Sequence, residues 1–186
     1  LFAAVSGVES PTGVIAVVAT PAGRPVPPGA RFCLALEDLQ DPGNVGTLLR
    51  SAAAAGVEHV LLSPTCAFAW SPKVLRAGQG AHFAVNIVEG ADLPAFVAGF
   101  AGTSVALCGE AKASLHDTDL RGPLALLVGN EGAGLSPALE RAATVRARIP
   151  MPGRAESLNA GAAGSIALFE AVRQRGSDAG QRRGHG

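Results

Sequence analysis

Leu124-Ala125-Leu126-Leu127-Val128-Gly129-Asn130-Glu131-Gly132-Ala133-Gly134-Leu135-Ser136-Pro137 runs from an unbroken apolar strand straight into a three-glycine turn. A strand without polar alternation is apolar on both faces, which is the pattern of a parallel sheet covered by helices on each side. Outward from it, short apolar runs alternate with amphipathic stretches. Strands are expected at Val14–Ala19, Phe32–Leu36, Val60–Ser63, Phe83–Val88, Ser104–Cys108 and Val145–Ile149. Between them, helices are expected at Val45–Ala55, Ser71–Ala77, Leu93–Ala101, Pro137–Ala142 and Leu158–Arg175. The fold class is therefore α/β, a mostly parallel sheet flanked by helices. Open sheets of this kind bind ligands just beyond the carboxyl ends of their strands, where the glycine turn lies. That turn is neither a P-loop nor a GxGxxG fingerprint. By itself it reads equally as a structural turn and as a site.

The 186 residues suit one domain, and 48% hydrophobic against 16% charged excludes a disordered chain. Fifteen basic and fifteen acidic residues cancel, so a polybasic arm is excluded. Any nucleic-acid contact then needs a local patch, for which Arg141, Arg146, Arg148, Arg154, Arg173 and Arg175 are the candidates. No apolar run reaches the roughly 20 residues that span a bilayer. Three distant cysteines (Cys33, Cys66, Cys108) without CxxC pairs suit free thiols in a reducing cytoplasm and give no metal site. Residue 1 is Leu and Met151 is the only Met. Residues 1–30, with linker-like Val5–Pro11 and the Pro/Gly-rich Pro21–Gly29, are expected to be a junction from a longer chain. Residues 31–175 are expected to form the domain, and residues 176–186 a disordered tail.

Two other segments carry chemistry. In Leu36-Glu37-Asp38-Leu39-Gln40-Asp41-Pro42-Gly43-Asn44-Val45-Gly46-Thr47-Leu48-Leu49-Arg50, Asn44 is expected to cap a helix whose apolar face is Val45, Leu48, Leu49, Ala52 and Ala53. Arg50 falls off that face beside Gly46, Thr47 and Ala54. It reads either as a guanidinium leaning over a site or as an ordinary solvated Arg. In Ile149-Pro150-Met151-Pro152-Gly153-Arg154-Ala155-Glu156-Ser157-Leu158-Asn159, a Pro-flanked loop enters a helix capped by Ser157. Its core face is expected to be Leu158, Ala162, Ile166 and Phe169. Gly161, Ala162, Ala163 and Gly164 cost helix stability, so another backbone or a ligand is expected to pack there. The rest of the chain holds no GxSxG, HExxH or clustered histidines. His116 beside Asp117 reads as a loop salt partner, and Cys108 as core. No Tyr and one Trp count against an aromatic platform for single strands.

Taken together and in order, these segments resemble the three motifs of the SpoU (TrmH-like) branch of SPOUT RNA methyltransferases. The first is Asn44, Gly46 and Arg50 with Ala55-Gly56. The second is Gly129-Asn130-Glu131-Gly132. The third is Ile149-Pro150-Met151 with Ser157-Leu158-Asn159 and Glu170. The resemblance covers roughly residues 31–175. It implies a SPOUT α/β knot, with a deep trefoil knot in the C-terminal part, and a homodimer. It also implies S-adenosylmethionine bound by the loops, with Gly129, Ile149, Leu158, Gly109, Asn130 and Met151 as cofactor-binding positions. The reaction implied is methylation of a ribose 2′-hydroxyl in RNA, ribosomal RNA favoured over tRNA because Ser10–Val17 looks like the junction to an N-terminal RNA-recognition domain. In the family the residue matching Arg50 is assigned the base role. Arg is always protonated in proteins, so stabilisation of the alkoxide stands beside it as a second reading. Asn44, Glu131, Ser157 and Asn159 would position Arg50 and the ribose. No metal is required. A non-catalytic RNA-binding module on the same fold and a Rossmann-type oxidoreductase are the competing readings.

Overall fold

The five-residue run Leu124–Val128 is fully buried, as is Phe32–Leu36 beside it, and both sit at the centre of one sheet. The computed structural model describes residues 14–155 and 157–181. In chain order the strands are β1 (Phe32–Leu36), β2 (His59–Leu62), β3 (Asn86–Val88), β4 (Thr103–Leu107), β5 (Ala113–Ser114), β6 (Leu124–Val128) and β7 (Val145–Arg148). They pair in the order β3-β2-β1-β6-β4-β7-β5, and each pairing is parallel. Alternate residues of the central strands feed two cores. Phe32, Leu34 and Leu36 join Leu124, Leu126 and Val128 on one face, while Cys33, Ala35, Ala125 and Leu127 lie on the other. Helices α1 (Pro42–Ala55), α2 (Pro72–Gly78) and α5 (Ala160–Gln181) cover the first face; α3 (Leu93–Gly99) and α4 (Pro137–Ala142) cover the second.

Local chemistry sets the helix starts. Asp41, Ser71 and Ser136 each cap a helix with a side-chain oxygen and are followed at once by Pro, whose fixed φ suits a first turn. Asp41, not Asn44, is thus the cap of α1: its carboxylate accepts from the Gly43 N–H at 2.9 Å. Asn44 lies inside the first turn and is buried. The start of α5 also differs from expectation. Asn159, not Ser157, is its cap, its Oδ1 accepting from the Ala162 N–H at 2.6 Å. The helix begins where its glycines can meet α1. A Cβ on Gly161 would stand 2.9 Å from Asn44 Oδ1, and one on Gly164 would run into the Leu48 side chain. The small residues therefore serve helix–helix packing on that side. The core face of α5 is Ala160, Gly164, Ala167, Leu168 and Ala171, whereas Leu158, Ile166 and Phe169 are exposed.

Three strand expectations change. Val14–Ala19 is not a strand; it is exposed and has no strand to pair with among the described residues. The chain instead reaches the β3 edge later, where Asn86 exchanges hydrogen bonds with the Arg24 backbone at 2.9 and 2.8 Å. The expected strand at Phe83–Val88 shrinks to β3, because Ala81–Phe83 turns as a 3₁₀ helix that buries His82 and leaves Phe83 outside. The two-residue β5 was not anticipated. At the C-terminus α5 continues to Gln181, past Gly176 where the tail was expected to begin.

The far half of α5 is tied down by polar contacts. Buried Glu170 accepts from Arg173 at 2.9 and 2.7 Å and from Gln174 at 2.8 Å, and His116 lies 3.5 Å away. The salt partner of His116 is thus Glu170 rather than its neighbour Asp117. The Arg173 hydrogen bonds, with help from Gln174, hold the Glu170 carboxyl down at about 2 despite its burial. A carboxyl depressed in the folded state stabilises above its ordinary value of 4.5, and that stability is lost as pH falls towards 2. Glu170→Gln should therefore cost about 1–2 kcal/mol at neutral pH. The variant should also flatten the acid limb of stability below pH 4.5, as urea unfolding at stepped pH would show.

Candidate active site

The carboxyl ends of β6, β4 and β7, neighbours in the sheet, open on one cleft. Its volume is about 160 Å³, and it continues into a wider groove of about 1100 Å³ along the loop after β4. Leu107, Val128, Ile149 and Leu158 give it apolar walls, and Ala160 and Ala163 of α5 form a low floor. All six positions singled out for a cofactor — Gly109, Gly129, Asn130, Ile149, Met151 and Leu158 — line this cleft, together with Glu131 and Ser157. Asn44, Arg50 and Asn159 do not line it.

The loop after β6 is a built structure. Asn130 and Gly134 exchange backbone hydrogen bonds at 3.0 and 2.9 Å, and Gly134 takes a positive φ of 71°. Asn130 Oδ1 accepts from Gly132 N–H at 2.8 Å and Ala133 N–H at 3.0 Å, while its Nδ2 donates to the Asp38 carbonyl at 2.8 Å. Gly129 is required by this loop: a Cβ there would collide with the Gly134 carbonyl and the Leu135 nitrogen. The acidic turn after β1 clamps the same loop from outside. Glu37 accepts from the Ser136 N–H at 2.6 Å and from its hydroxyl at 2.7 Å. Nothing in the local sequence assigns a role to Glu37, Asp38 or Ser136. Their signal was two carboxylates in a turn at a strand end, and their partners lie about a hundred residues away.

One contact joins the cleft to α1. Asn44 Nδ2 donates to Glu131 Oε1 at 2.8 Å, linking the helix that carries Arg50 to the loop that lines the cleft. Arg50 itself is exposed, and its side chain has no hydrogen bond or ion pair among the described residues. Cys108 lines the cleft half-buried. Burial and the nearby Glu140 push its thiol up to about 12, so it is protonated at neutral pH and a poor nucleophile. No group of His, Cys, Asp and Glu among the described residues could hold a metal ion.

The expected arginine patch largely dissolves. Arg146 pairs with Glu140 at 3.5 Å and Arg173 with Glu170 at 2.7 Å. Arg148 donates to the Ala111 and Lys112 carbonyls at 3.1 and 2.7 Å, bracing the loop after β4. Arg175 donates to the Leu120 and Gly122 carbonyls and lies 3.9 Å over the Phe32 ring. Arg148 and Arg175 thus spend their donors on the fold, and Arg146 and Arg173 stay solvent-exposed within ion pairs. Arg141 and Arg154 are exposed with no side-chain partner among the described residues.

This parallel sheet with a ligand cleft past β6, β4 and β7 is matched along most of its length by a known family. Residues 31–169 match the SpoU rRNA Methylase family, and the chain belongs to it. Among its relatives are 23S rRNA (guanosine(2553)-2′-O)-methyltransferase RlmP of Bacillus subtilis, 36% identical over 90% of this chain and 68% of its own length, and 23S rRNA (guanosine-2′-O-)-methyltransferase RlmB of Xylella fastidiosa strain 9a5c, 40% identical over 79% of this chain. The chain spans 60% of the length of the latter. A crystal structure of the SpoU methyltransferase AviRb from Streptomyces viridochromogenes with the cofactor AdoMet matches with TM-score 0.75 at 32% identity, over 84% of this chain and 66% of that one.

Proposed function

We propose that this chain is the catalytic part of a cytoplasmic S-adenosylmethionine-dependent methyltransferase that modifies a ribose 2′-hydroxyl in 23S ribosomal RNA. The observation that carries it is the convergence of the β4, β6 and β7 ends with the loops after them on one cleft lined by small, apolar and backbone groups. The relatives' names supply the substrate class, and the AviRb complex supports the cofactor. The lining fits a nucleoside carrying a polar arm, with apolar walls for the base and Asn130, Glu131 and Ser157 for polar groups. Leu107, Val128, Ile149 and Leu158 can sandwich a flat base, and Gly109 leaves its backbone open, a Cβ there meeting nothing within 4 Å.

When bound, S-adenosylmethionine supplies an electrophilic methyl group on a sulfonium sulfur. The chain must then deal with the ribose proton. A 2′-hydroxyl is far too weak an acid to ionise unaided at neutral pH, so positive charge at its oxygen is the largest help available. Arg50 would bring that charge, holding the developing alkoxide and an RNA phosphate while the hydroxyl proton passes to solvent water. Asn44 and Glu131 set the helix that carries Arg50 against the cleft, and Ser157 stands at the cleft where the ribose would enter. Asn159 acts through the start of α5, which it caps.

Arg50 does not line the cleft of its own chain, so a second copy is proposed to supply it. Phe169, 49% exposed, and Ile166, 38% exposed, offer an apolar strip on α5 for that copy. The trefoil knot of the family is part of the same proposal. Light scattering should give twice the 18.6 kDa chain mass at micromolar concentration. Phe169→Asp should shift the mass towards the monomer. Calorimetry tests the main reading: S-adenosylmethionine and its demethylated product should bind, and NAD should not. Binding of NAD alone would overturn the proposal.

A further inference from the structure

We propose that the face formed by α1 and α2 grips the RNA strand flanking the target ribose, with Lys73 and Arg76 on phosphates and Phe68 and Phe83 stacked on unpaired bases. This rests on the reading of the chain as an RNA methyltransferase. The charge pattern is the first support. Between Asp41 and Glu89 the only acidic residue is Glu58, at the amino end of β2, where it accepts from the Arg31 N–H at 2.9 Å. The same stretch exposes Arg50, Lys73 and Arg76, whose side chains have no hydrogen bond or ion pair among the described residues. In a chain of zero net charge, this face holds these three cations against one nearby carboxylate, Glu89, which is itself bonded to the Ala69 N–H at 2.8 Å.

The aromatics are the second support. Phe83 is 97% exposed and Phe68 is 51% exposed, although burying a phenyl ring is worth about 2 kcal/mol. They stand on joined points of the backbone. His82 Nε2 and the Ala69 carbonyl are 2.8 Å apart, and the Trp70 and His82 rings lie 5.1 Å centre to centre. Phe68 precedes Ala69 and Phe83 follows His82, so both rings leave one rigid base. The chain has one Trp and no Tyr, yet these two phenylalanines supply a stacking surface.

Geometry ties the face to the reaction. Helix α2 sits on α1 through Gly46, where a Cβ would press on Ala77, the Val74 carbonyl and the Gly78 nitrogen. Arg50 stands one turn further along that face of α1. A strand held by Lys73 and Arg76 would thus run past the guanidinium assigned to the ribose. Glu89, on the Ala69 N–H, is the acid beside the rings, and Arg50, Lys73 and Arg76 outnumber it. The lysine among these cations suits single-stranded RNA better than a protein partner, whose interface core is poor in lysine.

The test measures anisotropy of a labelled single-stranded RNA of about 12 nucleotides across about 50–300 mM salt. Alongside it, S-adenosylmethionine binding is followed by calorimetry and methyl transfer on a 23S RNA transcript. The double variant Lys73→Gln, Arg76→Gln should flatten the log–log salt slope by about 1.4, two phosphate contacts on a single strand. Phe83→Ala should weaken binding about tenfold with the slope unchanged. Cofactor affinity should be unaltered in both. If the wild-type chain methylates and the variants keep its slope and affinity, the proposed surface is wrong and the function stands. A Phe83→Ala effect on dimer mass with RNA binding intact would assign the face to a second copy and overturn the proposal. A wild-type chain that neither binds cofactor nor methylates overturns the function and this surface with it.

Discussion

Arg50→Ala should lower the rate of methyl transfer by about 10²–10⁴-fold while leaving S-adenosylmethionine affinity within a few-fold. The separation follows from position. Arg50 lies on the exposed side of α1, outside the cleft, and its side chain bonds nothing among the described residues. Removing it therefore strips no cleft contact and buries no orphan. What should disappear is the positive charge proposed to stabilise the ribose oxygen as its proton passes to water. The helix itself should hold, since Leu48, Leu49 and Ala52 remain buried beneath and Ala is a good helix former. Single-turnover rates with saturating RNA, set beside calorimetric cofactor affinity, make the measurement. A variant that loses cofactor binding as severely as activity would place Arg50 in the cofactor site and refute the assigned role. Arg50→Lys adds a finer reading: it keeps charge but loses the planar fork, so partial rescue is expected if charge dominates.

The sheet was legible where residue patterns leave no choice. β1 and β6 are five-residue apolar runs buried on both faces, and only the centre of a parallel sheet accepts them. Val14–Ala19 has the same composition yet stays outside, because a strand needs a partner edge and apolarity alone does not provide one. Helix starts were misread at Asn44 and Ser157 for a related reason. Asp41 and Asn159 are equally good caps a few residues away, and the packing of Gly161 and Gly164 on α1 selects between them. The glycine turn after β6 pointed to a strand end without deciding between turn and site, and the lining positions Gly109, Ile149, Met151 and Leu158 followed only from the resemblance to the family's motifs. The clamps were not legible. Asn44 meets Glu131 across 87 residues and Glu37 meets Ser136 across 99, distances over which no local pattern can pair them. The arginines misled for the opposite reason, since local spacing cannot show that Arg148 and Arg175 spend their donors on backbone carbonyls.

Gly129→Ala should be severely damaging for a single added methyl, weakening S-adenosylmethionine binding at least about tenfold and destabilising the fold by about 1–3 kcal/mol. Backbone strain at the position is not the cause, since Gly129 does not adopt a positive φ. The added Cβ meets the Gly134 carbonyl carbon and oxygen and the Leu135 nitrogen, and none of these is a side-chain end that could swing away. Relief requires the loop to open. Opening breaks the paired Asn130–Gly134 backbone bonds and drags on the Asn130 contacts to Gly132, Ala133 and Asp38. Leu135 is buried among Ala125, Leu127 and Leu139 on the second face of the sheet, so the far side of the loop cannot retreat without uncovering that core. The near side carries Glu131, and any shift there stretches its bond to Asn44 and the link to the helix of Arg50. Cofactor affinity and catalysis should thus fall together, in contrast to Arg50→Ala. Gly132→Ala is the internal control: its Cβ would come no closer than 3.6 Å to Asn130 Oδ1, an ordinary contact, and it should bind cofactor normally. If the two glycine variants behave alike in calorimetry and thermal unfolding, steric closure of the loop is not what shapes this cleft.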